Sequence, residues 1–446
     1  MKIHWLYATL LAAPSVLLTA QQGSGAQADG KSVSDGTLQL DQLVRNALER
    51  NPEAQSVEHG IKELEKKVPQ AKALPDPMVG VGWMGNLTPF STMSGDPSSY
   101  RGITVSEQFP YPGRLKLQGA IAGKDVEAAQ TDYDAIRRRV TAEVKAAYYD
   151  YFYFDKAIQA TSQNKDLLEK LSKIAEAQYR VGKSMQQDVL RSQVEISLLI
   201  EKLTTLEQQK ETARARINAF LLQSPDSPIA PAAEVQPDTI QYSLDELYAL
   251  ATKNDTTVER NQKMIDRGKL GVDLAKKQYR PDFGVSYAFQ QRTDQADMNG
   301  FMFSVNIPVF YRSKQRQAEA EASEDVLSAE KMRDNRLNEV RFELKQQYLA
   351  AKAAERLISL YSKAIVPQSS LALESSMAAY QVGKVDFLSL IANFTTVLNY
   401  ETDYYRQLAD YETAIARMES LTGVDVTSKR DMSPAEPTTE PTNRSR

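Results

Sequence analysis

An internal duplication constrains the fold of this 446-residue chain more than any other feature. The segment "YRVGK" at 179–183 returns as "YQVGK" at 380–384. Further pairs keep the same order along the chain: Leu40-Asp41-Gln42-Leu43 with Leu244-Asp245-Glu246-Leu247, Pro75-Asp76 with Pro281-Asp282, and Gln108-Phe109-Pro110 with Asn306-Ile307-Pro308. Ordered landmarks about 200 residues apart indicate an internal repeat. The fold must therefore be built from two similar halves.

The landmarks divide the chain into segments. We predict a first structural repeat over residues 38–223 and a second over 243–424. A proline-rich linker, residues 224–242, joins them. Residues 425–446 are polar and proline-rich, which predicts a disordered tail.

Residues 1–28 are typical of a secretory signal peptide. Lys2 precedes an apolar stretch over 5–20, and Ala26-Gln27-Ala28 offers a small-x-small cleavage site, with Ala20 as a second candidate. The rest of the chain has no apolar run near the ~20 residues that a spanning helix needs. We therefore expect an exported protein without a helical membrane anchor.

The composition excludes several classes of chemistry. The chain has no cysteine, which rules out disulfides, thiolate metal sites and a lipid-bearing cysteine. His4 and His59 are the only histidines, so a Ser-His-Asp triad or a histidine-rich metal site is not expected. The net charge is −4 and no basic block stands out, which argues against nucleic-acid binding. The composition thus argues against thiol or Ser-His-Asp catalysis and against a cysteine- or histidine-rich metal site.

Long helices account for most of both repeats. Neither glycine nor proline occurs in 124–181, and the segments after each glycine turn are also free of both, over 183–224 and 384–422. Apolar residues recur every three or four positions from Ile136 to Phe154, which predicts a coiled-coil-like stripe. A helix over 114–181 would be about 100 Å long. Two shorter helices stacked end to end would match that length.

In the second repeat, Pro367 interrupts the long helical segment. Proline lacks the backbone N–H and clashes with the preceding turn. The sequence therefore predicts a kink or a local break there.

A strand hairpin is predicted near 77–110 in the first repeat and near 282–308 in the second. In "FGVSYAFQ" at 283–290 and "FMFSVNIP" at 301–308, aromatic and branched residues alternate with small or polar ones. This period fits a transmembrane β-barrel wall, and it also fits a hairpin packed on a soluble core. The export signal favours the membrane interpretation. Because four strands cannot close a barrel in lipid, several copies must share one, and a conduit requires three or more.

The chain resembles the TolC-type outer-membrane efflux proteins over residues 38–424. The duplicated order of helix, hairpin, long helix, turn and helix supports this resemblance, together with the Tyr-x-Val-Gly turn in both halves. The segments "ALPDP" at 73–77 and "EQFPYPGR" at 107–114 are similar to the CusC- and CzcC-type heavy-metal branch.

The resemblance implies a mainly α fold with a small transmembrane β part. Three copies would form a twelve-stranded barrel in the outer membrane, in contact with its lipid, above a helical tunnel in the periplasm. The implied partners are a periplasmic adaptor (membrane fusion) protein and an inner-membrane pump of the resistance-nodulation-division class. The implied function is passive export with heavy-metal cations as the expected substrate, and the resemblance implies no catalytic residue, no cofactor and no protein-bound metal. A multidrug or small-organic efflux channel and a type I secretion channel remain alternatives.

The resemblance also assigns the glycine turns to the periplasmic tips, where the adaptor binds. The implied tip residues are Tyr179, Val181, Gly182 and Lys183 of the first turn and Tyr380, Val382, Gly383 and Lys384 of the second. Asp188 matches an acidic position at the pore entrance, whereas Ser389 and Ala392 stand where some relatives carry acidic residues. From the residues alone, both turns can equally be structural, with Asp188 stabilised by the dipole of its helix.

Two other classes of protein fit the sequence less well. A periplasmic coiled-coil adaptor would carry one helical hairpin, and this chain has two. A secreted coiled-coil structural protein would not require two strand hairpins at matching points.

Methionines near the hairpins could bind soft Cu(I) or Ag(I), or they could be apolar filler.

Overall fold

The structure is a computed structural model that describes residues 36–86, 92–94 and 96–427. The predicted signal peptide lies outside the described residues, as do residues 428–446 of the predicted tail. Within the described ranges, no helix combines the length and apolar composition that crossing a membrane requires.

Two similar series of elements follow each other along the chain. The first series is α1 (Leu40–Arg50), α2 (Pro52–Lys72), β1 (Met78–Met84), β2 (Tyr100–Phe109), α3 (Arg114–Arg180) and α4 (Gln186–Phe220). The second is α5 (Leu244–Asn254), α6 (Thr256–Lys277), β3 (Asp282–Gln291), β4 (Met298–Asn306), α7 (Gln315–Leu360), a π-helical turn (Tyr361–Ile365), α8 (Val366–Gln381) and α9 (Phe387–Thr422). The predicted fold class, long helices with a small β part, is confirmed.

The long helices form a layer of four columns. Helix α3 packs against α2 and α4 and also against α6 and α9, while α7 packs against α6 and α9 and α8 packs against α9. The order of the columns is therefore α2 with α4, then α3, then α6 with α9, then α7 with α8. Val140, Val144 and Ala147, within the predicted apolar stripe of α3, are each only 1% exposed. The stripe thus forms part of the core between columns.

The four strands form one antiparallel sheet in the order β1-β2-β3-β4. Alternation gives one face most of the apolar side chains, and ring pairs cross it, with centroids 4.9 Å apart for Tyr287–Phe301 and 6.0 Å apart for Phe283–Phe303. On the other face, one row joins Met78, Ser106, Ser286 and Met302, as the strand register shows. Among the described residues, the outer edges of β1 and β4 pair with no further strand.

The column formed by α7 and α8 is interrupted at the position that Pro367 predicted. The α-helical pattern of α7 ends at Leu360, and the π-helical turn Tyr361–Ile365 carries the chain to α8, whose second residue is Pro367. In the first repeat, α3 runs without interruption through the corresponding positions. The predicted local break is confirmed, and it takes the form of a wider turn rather than a loop.

Arg114, the first residue of α3, joins the two halves at the base of the sheet. Its Nη1 lies 2.6 Å from both carboxylate oxygens of Asp282, and its guanidinium also donates to the carbonyl oxygens of Lys277 and Arg280. Asp282 accepts a further hydrogen bond from the backbone N–H of Tyr111 at 2.8 Å. Because the Arg114 side chain is only 15% exposed, this is a largely buried, fully hydrogen-bonded ion pair.

The linker packs on α9 through a buried carboxyl group. The backbone N–H of Asp238 donates to Glu412 Oε1 at 3.1 Å, and the Tyr411 hydroxyl donates to the Asp238 carbonyl at 2.5 Å. Glu412 is 3% exposed, and this burial raises the pKa of its carboxyl group to about 7. The linker is therefore held by a group that titrates near neutral pH.

We expect Glu412→Gln to remove a pH dependence of stability. Since burial raises the folded-state pKa, the native state holds this proton longer than the unfolded chain. Its contribution to stability is therefore complete at acidic pH and is lost as the pH rises through about 7. Glutamine keeps the acceptor for Asp238 N–H without a charge. At pH 8 the variant should be more stable by up to about 3 kcal/mol, and at pH 5 the difference should shrink.

Thermal or denaturant unfolding at the two pH values measures this effect. Exposed Glu207→Gln is the matched control and should leave the profile of the parent unchanged. Equal pH profiles for the parent and Glu412→Gln would contradict the assignment.

Candidate functional site

Both glycine turns close in the same way. In the first, the N–H of Gly182 donates to Tyr179 O at 2.9 Å and that of Lys183 to Gln178 O at 2.8 Å. In the second, the N–H of Gly383 donates to Tyr380 O at 3.0 Å and that of Lys384 to Ala379 O at 2.9 Å. Each pair of bonds is a Schellman motif, which requires a left-handed residue just after the helix. Gly182 and Gly383 provide it, with φ of 74° and 72°.

The side chains around the two turns differ in exposure. Val181 and Val382 are alike, at 67% and 68% exposed. The tyrosines are not, because Tyr179 is 43% exposed and Tyr380 only 4%. The two turns are therefore equivalent in backbone and different in surface.

The tips of the two helical hairpins are packed together. Tyr380 is buried against Phe387, the first residue of α9, with ring centroids 5.4 Å apart. The same apolar cluster contains Leu168, Leu171 and Ala175 of α3. The resemblance implied that Tyr380 packs around the turn or meets the adaptor, and the structure places its side chain in the core between the hairpins.

Asp188 lies beside this buried tyrosine. It is the third residue of α4, half-buried, and its backbone N–H donates to Met185 O. Burial raises the pKa of Tyr380, and the negative charge of Asp188 raises it further. The Tyr380 hydroxyl therefore stays neutral, and the acidic residue of the first tip acts electrostatically on a residue of the second hairpin.

The second tip has an acidic residue that sequence reasoning missed. Asp386 is the N-cap of α9, and its Oδ1 accepts from Ser389 N at 2.6 Å. These hydrogen bonds from Ser389 lower the pKa of the Asp386 carboxyl group. The signal was available, because an aspartate directly before an apolar run is a common N-cap. The resemblance pointed to the positions of Ser389 and Ala392, where some relatives carry acidic residues, and Asp386 was therefore missed.

The two lysines project from the turns. Lys183 and Lys384 are exposed, and neither side chain forms an ion pair with any part of the chain that the structure describes. Their backbone N–H groups close the turns, as given above. Of the predicted site residues, Asp188 acts electrostatically on Tyr380, while the valines and lysines of both turns form an exposed rim.

Comparison with known proteins finds a family model that resembles the first repeat. A model of the family described as "Outer membrane efflux protein" matches residues 43–221, which is less than half of the chain. A search among curated proteins finds no match.

The likeness to solved structures extends over both repeats. The chain is similar to the outer membrane protein VceC from Vibrio cholerae (TM-score 0.72, 14% identity, covering 86% of this chain and 96% of that one). It is also similar to the CmeC outer membrane channel of Campylobacter jejuni (0.72, 12%, 92% and 94%). A third similar structure is CusC (0.71, 15%, 86% and 92%). CusC is thus one of several similar structures.

Proposed function

We propose that this chain is the outer-membrane channel of a tripartite efflux system. Three copies would share a twelve-stranded barrel, and their helical columns would form a tunnel into the periplasm. The channel would receive substrate passively from a periplasmic adaptor protein and an inner-membrane pump of the resistance-nodulation-division class. The helical layer, the four-stranded sheet and the match to the family model support this proposal.

The open edges of the sheet are the observation that carries it. Every residue of β4, the strand at one edge, is exposed, and β1 at the other edge is largely exposed. An unpaired strand edge is costly in water and is not tolerated in lipid. Four strands cannot close on themselves, and eight would leave an interior filled by side chains. Three copies, edge to edge, satisfy both edges and leave room for a conduit.

The outer columns of the helical layer carry matching apolar surfaces. On α4, Leu190, Val194 and Leu198 recur every four residues, and each is about half exposed. On α7, Phe342 and Leu349 are 68% and 55% exposed. Apolar stripes on both outer columns are what neighbouring copies would bury in a closed ring of helices.

The rim of the two glycine turns is proposed as the adaptor site. Val181 and Val382 present apolar side chains at the tips, and Lys183 and Lys384 add unpaired positive charge beside them. An apolar centre with polar surroundings is typical of a protein interface. Asp188 and Asp386 would lie near the entrance that the adaptor encloses.

Heavy-metal cations are the proposed substrate. The segments at 73–77 and 107–114 resemble the heavy-metal branch, and one row of the sheet supports the same substrate. Met78 and Met302 stand 66% and 63% exposed on the face opposite the aromatic residues. Thioethers are ligands for soft cations such as Cu(I) and Ag(I). Facing the interior of a barrel, they would give such ions weak, exchangeable contacts.

We expect the mature protein to be a trimer in mild detergent and to fractionate with the outer membrane. The physical reason is the pair of open sheet edges, which only neighbouring copies can satisfy. Native mass spectrometry or light scattering measures the number of copies. A monomer, or a soluble periplasmic pool, would contradict the shared barrel.

The substrate is tested by export. A host lacking its own outer-membrane channels, supplied with this chain and a metal-exporting pump and adaptor, should regain tolerance to Cu(I) or Ag(I). The parallel arm uses a multidrug pump and adaptor with organic dyes. Restored dye export without metal tolerance would refute the metal assignment and leave the channel intact.

A further inference from the structure

The turn between β4 and α7 is longer than its counterpart. In the first repeat, three residues separate Pro110 from α3, whereas six residues, 309–314, separate Pro308 from α7. The shorter turn is compact, with Lys277 lying 5.5 Å above the ring of Tyr111. Since three residues suffice to connect strand and helix, the longer turn needs another reason.

The longer turn is apolar and unpacked. Ile307, Val309 and Phe310 are 65%, 67% and 75% exposed, and Tyr311 is 46% exposed. Ile307 continues the alternation of Val305 and the other apolar residues of β4. The apolar face of the sheet thus extends beyond the last hydrogen-bonded residue, as expected where a wall meets the membrane surface.

A basic pocket of about 640 Å³ opens directly beneath this turn. Arg280 and Lys314 line it, and neither forms an ion pair with the residues that the structure describes. Asp282, the carboxylate in the pocket lining, is already neutralised by Arg114. The pocket therefore carries two unbalanced positive charges under an apolar surface.

A buried amide completes the pocket. Gln315 is 8% exposed, and its Oε1 has no hydrogen-bond partner among the described residues. A buried acceptor without a donor costs stability unless a water or a ligand supplies one. The pocket thus has two unmet requirements. The cations require a negative charge, and the amide oxygen requires a hydrogen-bond donor.

We propose that this pocket binds the headgroup of an anionic phospholipid, specifically phosphatidylglycerol, in the inner leaflet of the outer membrane. The phosphate would lie between Arg280 and Lys314, and a glycerol hydroxyl would donate to Gln315 Oε1. The acyl chains would cover Val309 and Phe310. The site would hold the channel at a fixed depth in the membrane. This inference rests on the proposed outer-membrane location.

The occupant follows from continuity and charge. The apolar turn extends the face of the sheet that would contact lipid, and the unpaired cations lie just below it. A second copy of the chain could bury the apolar turn, but it would have to neutralise both cations as well. The segment between α2 and β1, which would approach β4 of a neighbouring copy, contains the exposed apolar Leu74 and one exposed carboxylate, Asp76, for the two cations.

The experiment measures lipid retention by the detergent-solubilised trimer. Native mass spectrometry with phosphatidylglycerol, phosphatidylcholine and inorganic phosphate should show retention of the first alone. Arg280→Gln/Lys314→Gln should weaken it about 30-fold, since each cation near a membrane surface contributes about fivefold. Gln315→Leu should leave the charge attraction intact and reduce the preference for the glycerol headgroup.

Two exposed cations of the same chain provide the control. Arg356→Gln/Lys363→Gln removes equal charge far from the sheet and should leave retention unchanged. Equal retention of phosphatidylcholine, binding of inorganic phosphate with the same affinity, or an unaffected double variant would each overturn the proposal. So would dissociation of the trimer by Arg280→Gln/Lys314→Gln, which would make the pocket an interface between copies. Failure of the parent to form a trimer would instead refute the proposed function.

Discussion

Replacing both Gly182 and Gly383 with valine is expected to abolish export while leaving the trimer assembled. Both glycines have left-handed backbones, and no heavy atom lies within 4 Å of the position that a Cβ would take at either one. The penalty therefore comes from the backbone alone, roughly 1–2 kcal/mol for an ordinary side chain and more for a β-branched one. The turns should respond by leaving the Schellman geometry, which would move the exposed valines and lysines of the rim.

Metal tolerance, adaptor crosslinking and native mass measure the three consequences separately. Gly182→Asn/Gly383→Asn is the rescue variant, because asparagine adopts left-handed conformations more readily, and it should retain most of the export. Gly271→Val is the matched control, since its Cβ also meets open space but its backbone is helical. Export by the double valine variant at the parent rate would show that the turn shape is irrelevant.

Arg114→Ala is expected to produce a large loss of stability at the base of the sheet. It removes the Nη1 group that contacts both carboxylate oxygens of Asp282, together with three hydrogen bonds to the carbonyl oxygens of Lys277 and Arg280. Breaking a buried pair leaves an uncompensated charge, at a typical cost of 3–5 kcal/mol. Since Asp282 is 31% exposed, water can compensate in part, and we expect about 2–3 kcal/mol.

The unfolding midpoint of the trimer and limited proteolysis at the base of the sheet measure this loss. Arg114→Lys should fall between the parent and alanine, because lysine keeps the charge without the planar fork. Arg139→Ala breaks ion pairs with Glu53 and Glu143 that are about half exposed, and it should cost below about 1 kcal/mol. Similar losses for Arg114→Ala and Arg139→Ala would mean that burial of the junction adds nothing.

Much of the architecture could be predicted because it follows from periodicity and from chain breakers. The long helix of the first repeat was expected over 114–181 and is observed over Arg114–Arg180. The alternation near 283–290 and 301–308 predicted strands that the structure contains. Periodicity and chain breakers depend only on residues close together in the sequence, and both signals occur in each repeat because the sequence is duplicated.

The surface of the site could not be predicted in the same way. Tyr179 and Tyr380 occupy equivalent places in two nearly identical pentapeptides, yet one is exposed and the other buried. Which face of a helix meets its neighbours depends on packing between columns, and a pentapeptide holds no information about that. Gln315 is a similar case, because nothing in the sequence indicates that an amide next to two charged residues will be buried.

The helical columns before the two glycine turns have equal lengths, residues 114–180 and 315–381, but the second contains the π-helical turn Tyr361–Ile365. A π-helical turn rotates the chain less per residue than an α-helix, which is a physical reason for the different orientations of Tyr179 and Tyr380. The residues after the π-helical turn are therefore rotated about the helix axis relative to their counterparts in the first repeat. As a result, a different side of the second tip faces the neighbouring helices. Three copies would place six backbone-identical turns around the mouth. The exposed side chains would nevertheless alternate between the two kinds of turn. The ring would therefore have near-sixfold symmetry in its backbone and threefold symmetry in its side chains.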